Sequence, residues 1–259
     1  MQQKSQLKKI PKIIHYCWFG KAKKSKLILE CMATWKSHLP DYEIIEWNES
    51  NVNFDSEFVK KAYELRKWAF VSDYIRLKVL YEYGGIYLDT DMFVIRSLND
   101  FLDNFCFLGY EEEHLISAGI IGAQKGNLFI KHCLDFYKSY ELTATSDFHS
   151  ITIPLLLTKE YHEKESLQKE IHIYPTSYFY PFPNSQKKDI LNFKKYIQPT
   201  TYAIHLWNAS WVEYDEFYYI RNGKYIKALS KIAKTLFIKK TFNLYYFKRI
   251  YYNLLKRFE

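Results

Sequence analysis

Glycine and proline are scarce, 8 and 7 among 259 residues, which excludes collagen-like and low-complexity architectures. Only four cysteines occur, Cys17, Cys31, Cys106 and Cys133, with apolar neighbours and no CxxC pairing. That pattern excludes a disulfide framework and a cysteine zinc site, and it reads as reduced packing residues. No apolar run reaches the roughly 18 residues that a spanning helix needs. The opening MQQKSQLKKIPKII is basic but has neither an apolar h-region nor a small-residue cleavage site, so a cytoplasmic location is expected.

What the chain does have is apolar surface. It is 48% hydrophobic and 19% aromatic, with 24 Tyr and 19 Phe, enough to offset the entropy of ordering and to exclude dominant disorder. The length suits one large α/β domain or two small ones. Charge is unevenly spread: ten of the 37 Lys and Arg but one of the 29 acids fall between Lys224 and Glu259, leaving 27 bases and 28 acids in residues 1–223. The body is neutral and the tail carries the excess.

Apolar runs and turn residues organise the body. Ile10 to Trp18 reads as a buried strand turning at Phe19-Gly20. A helix is expected over 25–38, with Ser25 as N-cap, then a strand over 42–47 and helices over 54–66 and 69–83, the last stopped by Gly84-Gly85. A short strand over 85–88 leads into Asp89-Thr90-Asp91, followed by strands over 105–109 and 116–123 and a helix over 128–140. Residues 161–200 are expected to be loops with a short strand at 171–174, and 201–207 another strand. Strands alternating with helices predict an α/β sheet covered by helices. The simplest division is one domain over 1–223 and a helical appendage over 224–259.

The block that carries chemistry is Ser72-Asp73-Tyr74-Ile75-Arg76, then Tyr87-Leu88-Asp89-Thr90-Asp91 after ten residues. Asp73 and Arg76 stand three apart on a helix, so both project from one face while Phe70, Tyr74, Leu77 and Tyr81 bury the other. Asp89 and Asp91 fall on one side of an extended segment, because strand side chains alternate. Two converging carboxylates can hold one divalent cation and leave positions for water and phosphate oxygens, as magnesium and manganese prefer. Such a cation neutralises a diphosphate leaving group. Each part alone also has a plainer reading: Asp-x-Asp as a turn, and Asp73 with Arg76 as a surface pair worth about 0.3–0.5 kcal/mol. The joint arrangement is far more specific.

Together with Ile14-His15-Tyr16-Cys17-Trp18-Phe19-Gly20 and His205-Leu206-Trp207-Asn208-Ala209-Ser210-Trp211, this block resembles the family 32 glycosyltransferases, which include yeast-type initiating mannosyltransferases and bacterial capsule enzymes. It is more distantly similar to the glucosyltransferase domain of large clostridial toxins. The resemblance implies a GT-A (Rossmann-like) nucleotide-sugar transferase fold, a Mn2+ or Mg2+ cofactor and retention of anomeric configuration. Carried onto this chain, it implies that Trp18 stacks on the donor base, Asp73 and Arg76 hold the donor sugar and ribose, and Tyr87 lines the pocket. Asp89 then contacts ribose or metal through water, Asp91 ligates the metal directly, His205 joins it, and Ser210 and Trp211 donate to phosphate oxygens. The chain departs from the pattern at Ser117–Ala123, where only small residues stand in place of an Asn or Asp, and at Ile153-Pro154 in place of Gly-Pro. No further carboxylate offers itself as a nucleophile, which favours front-side displacement.

The donor expected is a UDP-hexose, with GDP-mannose next, and the acceptor a glycan or lipid-linked saccharide of a surface polysaccharide. The tail spaces apolar residues helically between bases, the pattern of an amphipathic helix on an anionic membrane face; the alternative is a helix packed on the domain. Nucleic acid is not expected, because the aromatic and basic residues are segregated by helical period. Two rival functions remain. An Asp-x-Asp phosphatase wants Asp-x-Asp-x-Thr or Val, whereas this chain reads Asp89-Thr90-Asp91-Met92-Phe93, and a non-catalytic membrane adaptor leaves the acidic cluster unexplained.

Overall fold

Short apolar strands and helices alternate from Ile13 onward. The computed structural model describes residues 9–143, 146–208, 216–221, 223–237 and 244–255, and the chain divides into two compact units, 1–208 and 209–259. In the first unit β1 (Ile13–Cys17) leads through a turn to α1 (Lys26–His38) and β2 (Glu43–Trp47), then α2 (Glu57–Glu64) and α3 (Trp68–Tyr83). Ser25 caps α1, its Oγ accepting from the Ile28 amide at 3.4 Å, and the helix buries Ile28, Cys31 and Trp35 at helical spacing.

After α3 come β3 (Gly85–Leu88), β4 (Met92–Val94), β5 (Cys106–Glu112) and β6 (Leu115–Ala123), followed by α4 (Leu128–Ser139), α5 (Ile153–Glu163), α6 (Glu165–Gln168), β7 (Ile171–Tyr174), α7 (Thr176–Phe179) and β8 (Ala203–His205). The main sheet has the order β2-β1-β3-β6-β5-β7, and β4 pairs with β8 in a separate ribbon. Parallel and antiparallel pairs mix: β1 lies parallel to β2 and β3, β6 antiparallel to β3 and β5, and β7 parallel to β5. Cores form on both faces. Phe58, Tyr74, Phe129 and Leu157 belong to one, and Trp35, Ile86, Phe101 and Phe179 to the other.

The α3–β3 junction sets the site. Gly84 and Gly85 have φ of 69° and 110°, the region that glycine adopts without steric cost. A Cβ on Gly85 would lie 2.7 Å from the Ile13 carbonyl oxygen. β1 and β3 run side by side with Ile14 opposite Ile86 and His15 opposite Tyr87, so the register carries Cys17 level with Asp89. His15 locks the junction: it is fully buried, its Nε2–H donates to the Gly84 carbonyl at 2.8 Å, and its Nδ1 accepts from the Trp47 indole at 3.1 Å. Burial pushes its pKa down to about 4, against the pull of the Gly84 bond.

One expectation is corrected. Residues 161–200 are largely ordered in short helices, with α5 extending back to Ile153 and a 3-10 stretch at Asn184–Tyr196. Pro154 sits in the first turn of α5, where its missing N–H costs nothing. The four cysteines are free and buried, as expected.

The second unit contains α8 (Glu216–Arg221), α9 (Tyr225–Phe237) and α10 (Leu244–Leu255). Its interior is anchored by Tyr246, whose hydroxyl donates to Glu216 Oε1 at 2.6 Å and whose ring meets Phe217 edge-on. Ile226, Leu229, Leu244 and Phe247 are exposed. Among the described residues no helix is long and apolar enough to cross a membrane.

Candidate active site

The first layer of the site comes from α3 and the end of β3. Both Asp73 and Arg76 are buried, so the plainer reading of a surface pair fails: α3 is enclosed nearly all round, and its ion pair lies inside the protein. Arg76 Nη2 lies 3.2 Å from Asp73 Oδ1 and 3.2 Å from Asp89 Oδ1, and Nη1 donates to the Ala118 carbonyl at 2.7 Å. Its guanidinium stacks 4.4 Å above the Tyr87 ring, while Nε has no protein partner among the described residues. Burial would pull the Arg76 pKa down, but Asp89, Tyr87 and Asp73 hold it above its ordinary value. Asp73 is pushed up to about 7 by burial, with Arg76 opposing and Asp89 adding to the rise.

The second layer joins Asp91, on the turn after β3, to His205, at the end of β8. Met92 pairs with His205 across the ribbon, which brings together residues far apart in the sequence. His205 Nε2 lies 3.1 Å from Asp91 Oδ1 and 3.9 Å from Asp89 Oδ2. The Asn208 amide donates to Asp91 Oδ2 at 2.7 Å. Burial raises the Asp91 carboxyl, but the His205 imidazole and the Asn208 amide more than offset it and hold the pKa low. Burial disfavours the His205 cation, while Asp91 and Asp89 outweigh it and raise its pKa. Asp89 is raised by burial against the pull of Arg76 and His205.

One ligand atom from each of Asp89, Asp91 and His205 lies within 4.8 Å of the others. Two carboxylates and an imidazole suit a divalent cation, and His205 Nδ1 is buried without a partner among the described residues. The residues present fit such an ion.

Trp18 stands apart from this cluster, past the end of β1. Its indole N–H donates to the Ala22 carbonyl at 2.7 Å, and Lys24 Nζ lies 5.2 Å from its ring centroid. With Lys21, Glu46, Asn48, Glu49 and Ser50 it lines a cleft of about 330 Å³ that shares no lining residue with the carboxylate cluster. Ser210 and Trp211 lie outside the described residues.

Sequence reasoning missed two contributors. The Asn208 amide depends on how the chain passes Asp91 and leaves no residue signature. Glu111, on β5, is a carboxylate close enough to feel Asp89 and His205. Burial raises its pKa, with the Ser117 hydroxyl and His205 pulling it back. The Glu111-Glu112-Glu113 run was its only trace in the sequence.

Comparison with known proteins places this geometry. Residues 25–108, which include Asp73, Arg76, Asp89 and Asp91, match the family described as "Glycosyltransferase sugar-binding region containing DXD motif". The chain is 28% identical to the Mus musculus lactosylceramide 4-alpha-galactosyltransferase over 158 residues, 53% of this chain and 40% of that protein. It is 29% identical to the Schizosaccharomyces pombe inositol phosphoceramide mannosyltransferase 3 over 133 residues, 47% of this chain and 35% of that protein. The match thus spans less than half the length of either relative. Among solved structures, the PaToxG glycosyltransferase shares the fold with a TM-score of 0.52 at 18% identity, covering 62% of this chain and 73% of that one. The α/β fold of GT-A type is as the sequence led us to expect, and glycosyltransferase is the class of the matched region, both relatives and this fold neighbour.

Proposed function

We propose that this chain is a retaining glycosyltransferase that moves a hexose from a nucleotide sugar to a glycan or lipid-linked saccharide, and that it is a family 32 enzyme, a reading its three motif blocks support. One observation carries the reading: Asp89, Asp91 and His205 converge beside the buried Asp73–Arg76 pair. A divalent cation, manganese or magnesium, held by those three residues would supply positive charge to the diphosphate. Arg76 is fixed by Asp73, Asp89 and the Ala118 carbonyl, and with Asp73 and Tyr87 it holds the donor's sugar and ribose. Fixed hydrogen bonds of this kind cost no reorganisation as charge develops. Asp89 faces the ribose and the cation together. Trp18 and its cleft receive the base, and Ser210 and Trp211 donate to phosphate oxygens.

In the reaction the bond between the anomeric carbon and the diphosphate oxygen breaks, and the acceptor oxygen bonds to that carbon on the same face. The acceptor's proton passes to the leaving diphosphate. A UDP-hexose is the preferred donor and GDP-mannose the second. The printed names of the two relatives, a galactosyltransferase and a mannosyltransferase, support the hexose class, and their ceramide acceptors support a lipid-linked one. The basic tail over 224–259 would then hold the enzyme, as a peripheral protein, on an anionic and by our reading cytoplasmic membrane face during surface-polysaccharide synthesis.

Incubation of the full chain with UDP-glucose, UDP-galactose or GDP-mannose and Mn2+ tests the reading. Slow release of free hexose and nucleoside diphosphate, abolished by chelation, is expected. Release of inorganic phosphate from a phosphomonoester such as p-nitrophenyl phosphate, with the nucleotide sugars left intact, would identify a phosphatase, and no product from any substrate would favour a binding protein.

A further inference from the structure

β5 and β6 pair irregularly at two places, between Phe107 and Gly109 and between Tyr110 and Glu112. Gly109 stands opposite Ser117 and Tyr110 opposite Ile116, but Glu112 opposite Leu115, so Glu111 is the extra residue of a bulge. Bulges re-aim side chains and gather beside functional sites. Opposed residues share a face of a sheet, as do residues two apart along a strand, so Gly109, Ser117 and Gly119 face the same way. The burial of Tyr180 confirms that face: a Cβ on Gly109 would meet its ring at 3.0 Å, and one on Gly119 would lie 3.0 Å from its hydroxyl. The same point on Gly119 is 3.5 Å from Asp89 Oδ2, so the Tyr180 hydroxyl and the Asp89 carboxylate border one small space that glycine keeps open.

The Ile120 amide donates to the Tyr180 hydroxyl at 2.9 Å, and the Ser117 hydroxyl, on the same face, offsets the burial-driven rise in pKa of both Tyr180 and Glu111. A carboxylate has about four acceptor sites. Among the described residues no lysine or arginine pairs with this one, which leaves acceptor capacity beside Asp89 and His205. A partly buried carboxylate with unused acceptors calls for hydroxyl donors.

We infer that Glu111, presented by the bulge and oriented by Ser117 and Tyr180, is the residue that recognises the hydroxyls of the donor hexose, in place of the Asn or Asp that Ser117–Ala123 lacks. Its carboxylate accepts from sugar hydroxyls while the diphosphate sits at Asp89, Asp91 and His205. This inference rests on the transferase reading, and the test separates the two.

The test is calorimetric titration of the full chain with Mn2+, comparing UDP-glucose, UDP-galactose and GDP-mannose with UDP and GDP, for the wild type and for Glu111→Gln, which keeps shape and removes charge. A hydrogen bond to a charged group is worth enough that its loss should weaken the best nucleotide sugar about tenfold or more, while its nucleoside diphosphate binds within about twofold of wild type. KM should rise in step in the hydrolysis assay. Equal weakening of both ligands, or no change in either, would overturn the inference while leaving the transferase reading standing. Loss of kcat with unchanged sugar-nucleotide affinity would overturn it in favour of a reacting carboxylate. Failure of the wild type to bind any of these ligands would overturn both. If Glu111→Gln does not fold, Ser117→Ala must show the same split between sugar nucleotide and diphosphate, and its absence would count equally against the inference.

Discussion

Arg76 is the residue on which the inner site turns, since its guanidinium holds Asp73, Asp89 and the Ala118 carbonyl at once. Removing one partner of a buried pair leaves an uncompensated charge, so Arg76→Ala should cost about 3–5 kcal/mol in urea unfolding. Arg76→Lys keeps the charge but loses the planar fork; it should fold, yet lose at least about tenfold in kcat/KM for sugar-nucleotide hydrolysis. A lysine variant of wild-type activity would contradict the assigned role. His15 gives a pH prediction. Its folded pKa, about 4, lies below the ordinary value of 6.5, so the folded state binds fewer protons there. Its contribution to stability is full above about pH 6.5 and is lost as pH falls towards 4, amounting to about 3 kcal/mol. Unfolding curves at pH 7 and 4 should therefore differ by that much more in the wild type than in His15→Gln. Asp73, Arg76, Asp89 and Asp91 were legible in the sequence because their spacing is local. That Asp73 and Arg76 are buried was not, because helical periodicity cannot show that both faces are covered. Glu111 was hidden because a bulge, and not its place in the sequence, aims it.

At the scale of elements, the α3–β3 junction aligns Asp89 with the end of β1. Gly85→Ala would place a Cβ 2.7 Å from the Ile13 oxygen and force an alanine to φ of 110°. Such strain costs about 1–3 kcal/mol, so the melting temperature should fall and hydrolysis with it; a variant as stable as the wild type would show that the junction is looser than described. Most elements were readable to within a few residues, since Ser25, Gly84-Gly85 and the apolar runs mark their own boundaries. The short strand at 171–174 matched its expected span. α5 escaped notice because Pro154 reads as a breaker unless it is known to lie in the first turn. The β4–β8 ribbon, which delivers His205 to Asp91, joins strands more than a hundred residues apart, and no local pattern announces such a pairing.

At the scale of the whole molecule, charge and apolar exposure coincide in the tail, where ten bases stand against one acid between Lys224 and Glu259 and Ile226 and Leu229 are 87% and 64% exposed. The full chain should sediment with phosphatidylglycerol vesicles more than with phosphatidylcholine ones, and less at 1 M salt than at about 0.1 M. Ile226→Asp with Leu229→Asp should abolish the association, and equal binding to both lipids would refute an electrostatic role for the tail. The α/β class followed directly from alternating elements; the path by which the chain brings Asp89, Asp91 and His205 together from two distant segments did not. Electron paramagnetic resonance of free Mn2+ in the presence of UDP shows whether those three side chains hold an ion. The wild type should deplete the free-ion signal with about one ion per chain, and Asp91→Asn should leave it nearly undiminished. Undiminished signal with the wild type, or equal depletion by both proteins, would contradict the account.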